Sequence, residues 1–225
     1  MRILIATNGG DTCALNASLR SIRDSALAHG PTAIVFGAIG GYKGLIEGHI
    51  IDITNHDINP FHGGSILKSL RDSPCRLNAD GEYELDEEKA NKIVRNLKRF
   101  RVDVLVVIGG DGTLRATKIF FAEVVQRHAF RIIGFLKTID NDVRTYSVFQ
   151  GVEAALCPGF PTAARCLFEI VKRIRTTAET CERIFTVETM GRDAGILLCW
   201  QPKRHRSLHH VSENHNGLSQ PIRGN

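Results

Sequence analysis

Short apolar runs alternate with longer stretches of helical spacing along most of the chain. The runs predicted to be strands span residues 2–7, 32–38, 50–53, 102–108, 131–135 and 183–187. The run at 102–108 is almost continuously apolar, which is typical of a strand buried on both faces of a sheet. Such strands occur in parallel sheets whose two faces are both covered by helices.

Apolar residues recur at helical spacing over residues 15–29, 86–100, 113–127 and 160–177, and a further helix is predicted from 194 to 200. Asp86 is the predicted N-cap of the helix at 86–100. Residues 57–80 contain glycines and no clear period, which predicts a loop with a short helix. Strand, glycine turn and helix in repeated order predict a doubly wound, mostly parallel α/β sheet.

The stretch GGDGT, residues 109–113, ends one of the predicted strands. Its backbone N–H groups and the Thr113 hydroxyl could hold a phosphate at the start of the following helix. The Asp111 carboxylate would repel that phosphate unless Mg²⁺ lay between them, and Mg²⁺ binds one or two carboxylates together with phosphate oxygens. A tight turn with an N-capping aspartate is the alternative, and this stretch alone leaves both interpretations open.

The stretch KTIDND, residues 137–142, ends the next predicted strand. Asp140 and Asp142 beside Lys137 suit proton abstraction from a hydroxyl group. Aspartate and asparagine also form ordinary turns. Two acidic turns at neighbouring strand ends nevertheless favour a site, because ligands of open α/β sheets bind there.

A third stretch, VETMGRD at 187–193, follows the last predicted strand. Its Arg192 has the planar donor fork that suits a phosphoryl group. By itself this stretch is more typical of the start of a helix.

The composition indicates a globular protein with an anionic partner. The 225 residues are 43% hydrophobic and 24% charged, with a net charge of +5 and a pI near 9.0. This balance favours phosphorylated metabolites or nucleic acid. Nucleic acid is disfavoured, because no basic stripe interleaves with aromatic residues before residue 201 and the acidic turns oppose a polyanion.

The six cysteines form no C-x-x-C pair, which predicts reduced thiols in a cytosolic protein. The first apolar run is too short for a signal peptide, and no run reaches the roughly 20 residues that span a bilayer. We therefore expect a cytoplasmic protein without a membrane partner. Residues 201–225 are basic, contain four histidines and predict a disordered tail after a lobe at 1–200. A metal or nucleic-acid tail is the alternative, although the histidine spacing fits no regular ligand pattern.

Seven stretches, taken in order, resemble the phosphofructokinase family. They are GGDTCALNASLR, GGYKGL, GGSILKSLR, GGDGT, KTIDND, TTAETCERI and VETMGR. Each alone is a weak signal, whereas the ordered series is specific and runs from the N-terminus to about Trp200. The resemblance implies a Rossmann-like first lobe of a phosphofructokinase, with the second lobe largely missing.

The resemblance also implies the reaction of a 6-phosphofructokinase in glycolysis, in which ATP phosphorylates the 1-hydroxyl of fructose 6-phosphate to give fructose 1,6-bisphosphate. Mg²⁺ would be the cofactor, with Asp111 as its ligand, and Tyr42 would lie beside the nucleotide base. The residues that would bind the phosphoryl donor are Gly10, Tyr42, Arg71, Asp72, Gly110, Asp111, Gly112 and Thr113.

For the sugar, the resemblance implies that Asp140 is the base towards the 1-hydroxyl, and that Arg192 and Lys137 complete the catalytic set. Arg183 would reach the sugar 6-phosphate of a neighbouring subunit, which implies a homo-oligomer. The residues that would bind the sugar phosphate are Thr138, Ile139, Asp140, Asp142, Arg183, Met190, Gly191 and Arg192.

The identity of the donor depends on two positions. Gly112 resembles the ATP-using members of the family, whereas Lys137 resembles the pyrophosphate-using members, and we expect ATP. A pyrophosphate-dependent enzyme is the first alternative. An inactive nucleotide-binding homologue is the second, because the resemblance stops before the second lobe.

Overall fold

A computed structural model divides the chain into two compact units, Met1–Lys137 and Thr138–Asn225. It describes residues 1–79, 81–143, 156–191 and 195–199, and the structural statements below concern those residues. The tail predicted at 201–225 lies outside them. Its separation from a lobe at 1–200 therefore stays a prediction.

The first unit is built around a five-stranded sheet. Its elements are, in chain order, β1 (Arg2–Thr7), α1 (Ala14–His29), β2 (Ile34–Ala38), α2 (Tyr42–Glu47), β3 (Ile50–Asp52), β4 (Cys75–Leu77), β5 (Tyr83–Leu85), α3 (Glu87–Arg99), β6 (Val104–Gly109), α4 (Asp111–Glu123), a 3₁₀ turn (Val125–Arg127) and β7 (Arg131–Leu136). The strand order is β3–β2–β1–β6–β7, with β3 antiparallel to β2 and the other pairs parallel. This confirms the predicted α/β class with a mostly parallel sheet.

Apolar clusters cover both faces of this sheet. Successive side chains of a strand point to opposite faces, and in β1 Leu4 belongs to one cluster and Ile5 to the other. Helix α1 adds Leu15 to the cluster of Ile5, whereas α3 adds Ile93 and α4 adds Phe120 to the cluster of Leu4. Each such buried side chain stabilises the fold by about 1.5–3 kcal/mol. The helices therefore cover both faces of the sheet, as predicted.

The starts of two helices matter for the site. Asp86 caps α3 as predicted, because its Oδ1 accepts a hydrogen bond from the Lys89 N–H (3.1 Å). That bond lowers the pKa of Asp86. Helix α4 begins at Asp111, two residues earlier than predicted, with Gly110 as its N-cap. Asp111 thus lies in the first turn of the helix.

Residues 57–79 contain no helix, so the short helix predicted there is wrong. Side chains in this segment bind nearby backbone groups, which competes with helix formation. Asn59 Oδ1 accepts from the Phe61 N–H (3.0 Å). Ser65 Oγ accepts from the Leu67 N–H (3.1 Å).

A β-hairpin that the sequence analysis did not predict follows this loop. Strands β4 and β5 pair antiparallel, with Cys75 opposite Leu85. The Asn78 side chain braces the turn by accepting from the Glu82 N–H (2.8 Å). Cys75 Sγ donates to the Ala116 carbonyl (3.7 Å), which fixes the hairpin against α4.

The second unit contains α5 (Phe160–Cys181) and α6 (Ile196–Cys199). Helix α5 extends four residues beyond the predicted end at 177, and Phe160 packs in one cluster with Leu197. The helix predicted at 194–200 is present as α6, and the predicted end residues 194 and 200 lie outside the described part of the chain.

The strand predicted at 183–187 is wrong, because the structure assigns no strand to these residues. Ile184 is 99% exposed. A strand is stabilised by its hydrogen-bonded neighbour and by side-chain pairs across the ladder. Among the described strands none pairs with this apolar run, which therefore stays irregular.

Five cysteines with described side chains are free thiols: Cys13, Cys75, Cys157, Cys166 and Cys181. Burial raises the pKa of Cys75 to about 11 and also raises the pKa of Cys157. Among the described helices, none combines the length and the hydropathy that a transmembrane segment needs.

Candidate functional site

A glycine turn follows β1 and is held by a later segment of the chain. Gly9 has a φ of +86°, in the left-handed region that glycine occupies without strain. Its N–H donates to the Leu70 carbonyl (2.8 Å), and its carbonyl accepts from the Ser69 hydroxyl (2.9 Å). These bonds place Arg71 and Asp72, both exposed, immediately beyond the turn.

Strand β6 runs into α4 through a tight corner. A side chain on Gly109 would overlap the Thr113 side chain, so the corner requires glycine. The first N–H groups of a helix have no partner within it and can bind an anion. The Asp111 carboxylate lies in the same turn, is 43% exposed and pairs with Arg115 (Nε to Oδ2, 2.8 Å). The corner therefore offers N–H groups to an anion and a carboxylate to a cation.

Lys137 follows β7, and its side chain reaches across to the turn after β1. The residue is 2% exposed, and its Nζ donates to the Gly10 carbonyl. Lys137 Nζ and Thr113 Oγ1 lie 3.5 and 3.7 Å from the position that a side-chain carbon on Gly9 would take. A carbon on Gly10 would meet no atom within 4 Å, so the turn borders open space. The ends of β1, β6 and β7 thus bring together a glycine turn, a hydroxyl group and an ammonium group.

Tyr42 begins α2 and has a fully buried side chain. Its N–H donates to Asn8 Oδ1 (2.7 Å), and its hydroxyl lies 2.8 Å from Thr117 Oγ1. Burial raises the pKa of Tyr42. The ring has no exposed surface in this placement, and its predicted contact with a nucleotide base stays a prediction.

Gly41 lies where the loop after β2 crosses the end of β1. It has a φ of +67°, and a side chain there would overlap Asn8 Oδ1 and the Thr7 carbonyl. Because both strain and overlap oppose a side chain, Gly41→Ala is expected to lower the free energy of unfolding by about 3 kcal/mol, measured in urea. The control Gly63→Ala adds a carbon that would have no atom within 4 Å, and it should change the free energy of unfolding by less than about 0.5 kcal/mol. Equal losses in the two variants would contradict the crowding at Gly41.

Asn8 belongs to this region, although the sequence analysis did not include it. It is 1% exposed, and its Nδ2 has no hydrogen-bond partner within the described residues. A buried donor without an acceptor costs about 1–3 kcal/mol, and an acceptor supplied by a ligand or a water would remove that cost. The position of Asn8 directly before two glycines at a strand end is the signal that could have identified it.

In the second unit, the predicted sugar-binding residues form a turn. The Thr138 N–H donates to the Pro158 carbonyl (3.0 Å). The Thr138 hydroxyl accepts from the Asp140 N–H (3.0 Å), and Asp140 is half-buried. A side-chain carbon on Gly191 would lie 3.5 Å from Asp140 Oδ1. The structure therefore brings Gly191 close to Asp140.

The remaining predicted sugar-side residues are less constrained. Ile139 is half-buried, whereas Asp142, Arg183 and Met190 are exposed. Arg192 lies outside the described residues, so its predicted role stays a prediction.

A metal ion would find few protein ligands here. Within the described part of the chain, no group of three or more His, Cys, Asp or Glu residues could hold one. Mg²⁺ binds one or two carboxylates and completes its shell with phosphate oxygens and water. The single carboxylate of Asp111 therefore fits a metal held mainly by a bound phosphate. Asp140 belongs to the other unit, and its predicted meeting with Asp111 stays a prediction.

The family model and the curated relatives that match this chain all belong to one family. A family model described as Phosphofructokinase matches residues 2–201. An ATP-dependent 6-phosphofructokinase of Ligilactobacillus salivarius is 38% identical over 201 residues, which are 88% of this chain and 55% of the relative. An ATP-dependent 6-phosphofructokinase of Aquifex aeolicus is 40% identical over 199 residues, which are 88% of this chain and 55% of that relative. The chain thus spans about half the length of these curated relatives.

Solved structures of phosphofructokinases have a similar fold. That from Saccharomyces cerevisiae gives a TM-score of 0.67 at 26% identity, over 87% of this chain and 27% of the yeast chain. A pyrophosphate-dependent phosphofructokinase from Marinobacter aquaeolei gives 0.70 at 20% identity, over 92% of this chain and 50% of that one. At 20% identity, the second likeness shows the fold alone.

Proposed function

Because this chain belongs to the phosphofructokinase family, we propose that it supports phosphoryl transfer from ATP to the 1-hydroxyl of fructose 6-phosphate. The product is fructose 1,6-bisphosphate, and Mg²⁺ is the metal. The matched region covers 55% of the length of two curated relatives, so the activity of this chain by itself is part of the proposal.

One observation carries the donor half of the proposal: Thr113 Oγ1 and Lys137 Nζ flank the Gly9 turn at three strand ends. Phosphoryl transfer depends on positioning and charge neutralisation more than on covalent groups. The first turn of α4 supplies N–H groups, and Lys137 supplies a positive charge beside the open space at Gly10. Gly110, Gly112, Arg71 and Asp72 border the same turns.

Mg²⁺, when bound with the donor, would neutralise charge between its phosphate groups. Asp111 is the residue that would hold it. Arg115 pairs with this carboxylate at 2.8 Å and would therefore compete with the metal for it. The Arg115 side chain is 67% exposed, so it can move aside without disturbing the core.

On the sugar side, Asp140 would accept the proton of the 1-hydroxyl as it attacks. The hydroxyl of Thr138 orients the Asp140 backbone (3.0 Å), and a side-chain carbon on Gly191 would lie 3.5 Å from Asp140 Oδ1. Arg192 would stabilise the phosphoryl group during transfer. The remaining sugar contacts are proposed for Ile139, Asp142, Arg183 and Met190.

Two observations favour ATP over pyrophosphate as the donor. The curated relatives at 38% and 40% identity are named ATP-dependent enzymes. Gly112 also resembles the ATP-using members of the family. A side-chain carbon there would lie 2.9 Å from the Tyr83 hydroxyl, so a larger residue would crowd the hairpin that carries Tyr83.

Gly112→Asp should reduce kcat/KM for Mg·ATP by at least about tenfold, because it adds both bulk against Tyr83 and negative charge beside the donor phosphates. The matched control Gly112→Ala adds bulk without charge and should cause the smaller loss. Steady-state kinetics of both variants, with Mg·ATP and with Mg·pyrophosphate as donors, measure these losses. An unchanged kcat/KM for Mg·ATP in the aspartate variant would contradict the placement of the donor at Gly112.

The proposed function is tested by incubating the purified chain with fructose 6-phosphate, Mg²⁺ and either ATP or pyrophosphate. Fructose 1,6-bisphosphate is expected with ATP. Product with pyrophosphate alone would reverse the donor assignment. If calorimetry shows Mg·ATP binding while no product forms with either donor, the chain is an inactive nucleotide-binding homologue.

We also propose a homo-oligomer in the cytoplasm. The exposed side chain of Arg183 is free to reach a neighbouring subunit, as the family resemblance implies. Sedimentation analysis of the purified chain tests this, and a monomer at all concentrations would argue against it.

A further inference from the structure

One short segment, residues 157–159, holds the turn that carries Asp140 on both sides of that residue. Before Asp140, the Thr138 N–H donates to the Pro158 carbonyl at 3.0 Å. After it, Asn141 Oδ1 accepts from the first N–H of the segment at 2.8 Å. The second bond joins residues 16 positions apart, so it ties the turn to a different part of the second unit.

Cys157 is the first residue of this segment and is fully buried. Its N–H is the donor to Asn141 Oδ1, and its thiol donates to the Val143 carbonyl at 3.2 Å. Burial raises the pKa of Cys157, which keeps the thiol protonated and able to donate. The segment is itself anchored, because Phe160 follows it directly and is fully buried in the cluster that joins α5 to α6.

The backbone of Asn141 makes the chain turn immediately after Asp140. Its φ is +54°, in the left-handed region that asparagine occupies more readily than most residues with a side chain. Glycine would fit this backbone equally well, but it has no oxygen to accept the Cys157 N–H. Asn141 thus supplies both the shape of the turn and the bond that holds it.

We propose that Asn141 is a positioning residue for Asp140, and that it holds this carboxylate towards the 1-hydroxyl of the sugar by tying the turn to Cys157. The role rests on the proposed function, in which Asp140 is the base. Displacement of a reacting group by about 1 Å can cost about 10²-fold in rate. Bonds to one anchored segment on both sides of Asp140 restrict such a displacement.

Asn141→Gly removes the acceptor and keeps a residue that adopts the left-handed backbone without strain. The turnover number with Mg·ATP and fructose 6-phosphate should fall by about tenfold to hundredfold. KM for Mg·ATP should stay unchanged, because the donor residues belong to the other unit. Asn59→Gly is the matched control, since Asn59 Oδ1 accepts from the Phe61 N–H (3.0 Å) in an exposed loop, and it should keep full turnover. Equal losses in the two variants, or no loss in Asn141→Gly, overturn the inference.

Amide hydrogen exchange, resolved for single residues by NMR, tests the positioning role without turnover. In Asn141→Gly the Cys157 amide loses its acceptor and should exchange faster. If Asn141 fixes the turn, the Asp140 amide should also exchange faster, although its own acceptor, Thr138 Oγ1, is unchanged. Faster exchange at Cys157 alone would show a bond that has no effect on Asp140, and it overturns the inference.

Asn141→Asp is the second variant, because aspartate also tolerates this backbone and keeps an oxygen for the Cys157 N–H. Slow exchange at the Cys157 and Asp140 amides should return in this variant, and exchange as fast as in Asn141→Gly overturns the inference. A wild-type chain that forms no fructose 1,6-bisphosphate defeats the proposed function instead. The exchange of the Asp140 amide then still decides whether Asn141 fixes the turn.

Discussion

Asp140→Asn should lower the turnover number with Mg·ATP and fructose 6-phosphate by about 10³-fold, within the range typical of a lost general base. The amide keeps the size of the side chain but cannot accept the proton of the 1-hydroxyl. The backbone N–H of Asp140 donates to Thr138 Oγ1 (3.0 Å), so the turn itself should survive the substitution. Initial rates at saturating concentrations of both substrates measure the effect.

The affinity for Mg·ATP, measured by calorimetry, should change less than twofold in this variant, because the donor residues lie in the other unit. Asp57→Asn is the matched control, since Asp57 is an exposed carboxylate in a loop outside the site. Turnover retained in Asp140→Asn would remove Asp140 from the role of base.

Lys137→Met should reduce kcat by about 10²-fold, as expected when a group that neutralises developing charge is lost. Methionine keeps the length and apolar stem of lysine but has no ammonium group. Lys137 is 2% exposed, and its Nζ lies 3.5 Å from where a side chain on Gly9 would begin. Within this part of the protein, water can replace a lost charge only poorly.

The variant will also lose stability, because the Gly10 carbonyl loses the bond from Lys137 Nζ and a buried acceptor costs about 1–3 kcal/mol. Rates must therefore be measured well below the melting temperature. Lys172→Met, on the exposed face of α5, is the control and should keep full activity. A loss in the Lys137 variant that disappears once its folded fraction is corrected for would show a purely structural role.

The sheet and the donor side of the site were largely predictable from the sequence. Glycines and carboxylates at strand ends indicated where a ligand binds, because parallel strands all end at one edge of the sheet. In the structure Gly9, Thr113 and Lys137 meet at this edge although they are distant along the chain, and the binding of a ligand there stays a prediction. The runs of apolar residues were sufficient to predict the central strands β1 and β6, because both strands are buried on both faces of the sheet.

The errors concern features that depend on distant partners. The run at 183–187 has the composition of a strand, but no strand in the described part of the chain pairs with it, and Ile184 is 99% exposed. The hairpin of β4 and β5 was missed because each strand has only three residues, too few for a detectable period. The contact between the Tyr42 hydroxyl and Thr117 Oγ1 also joins residues 75 positions apart, which no local pattern could have indicated.

The tight corner between Gly109 and Thr113 affects the entropic cost of binding a ligand there. Because the Gly109 backbone and the Thr113 side chain pack with no space for even one added carbon, folding alone fixes this part of the backbone. Ordering of a loop is one of the main entropic costs of association. If the donor phosphates bind at this corner as proposed, the cost of ordering it has already been met in folding, and few further contacts are needed to hold them.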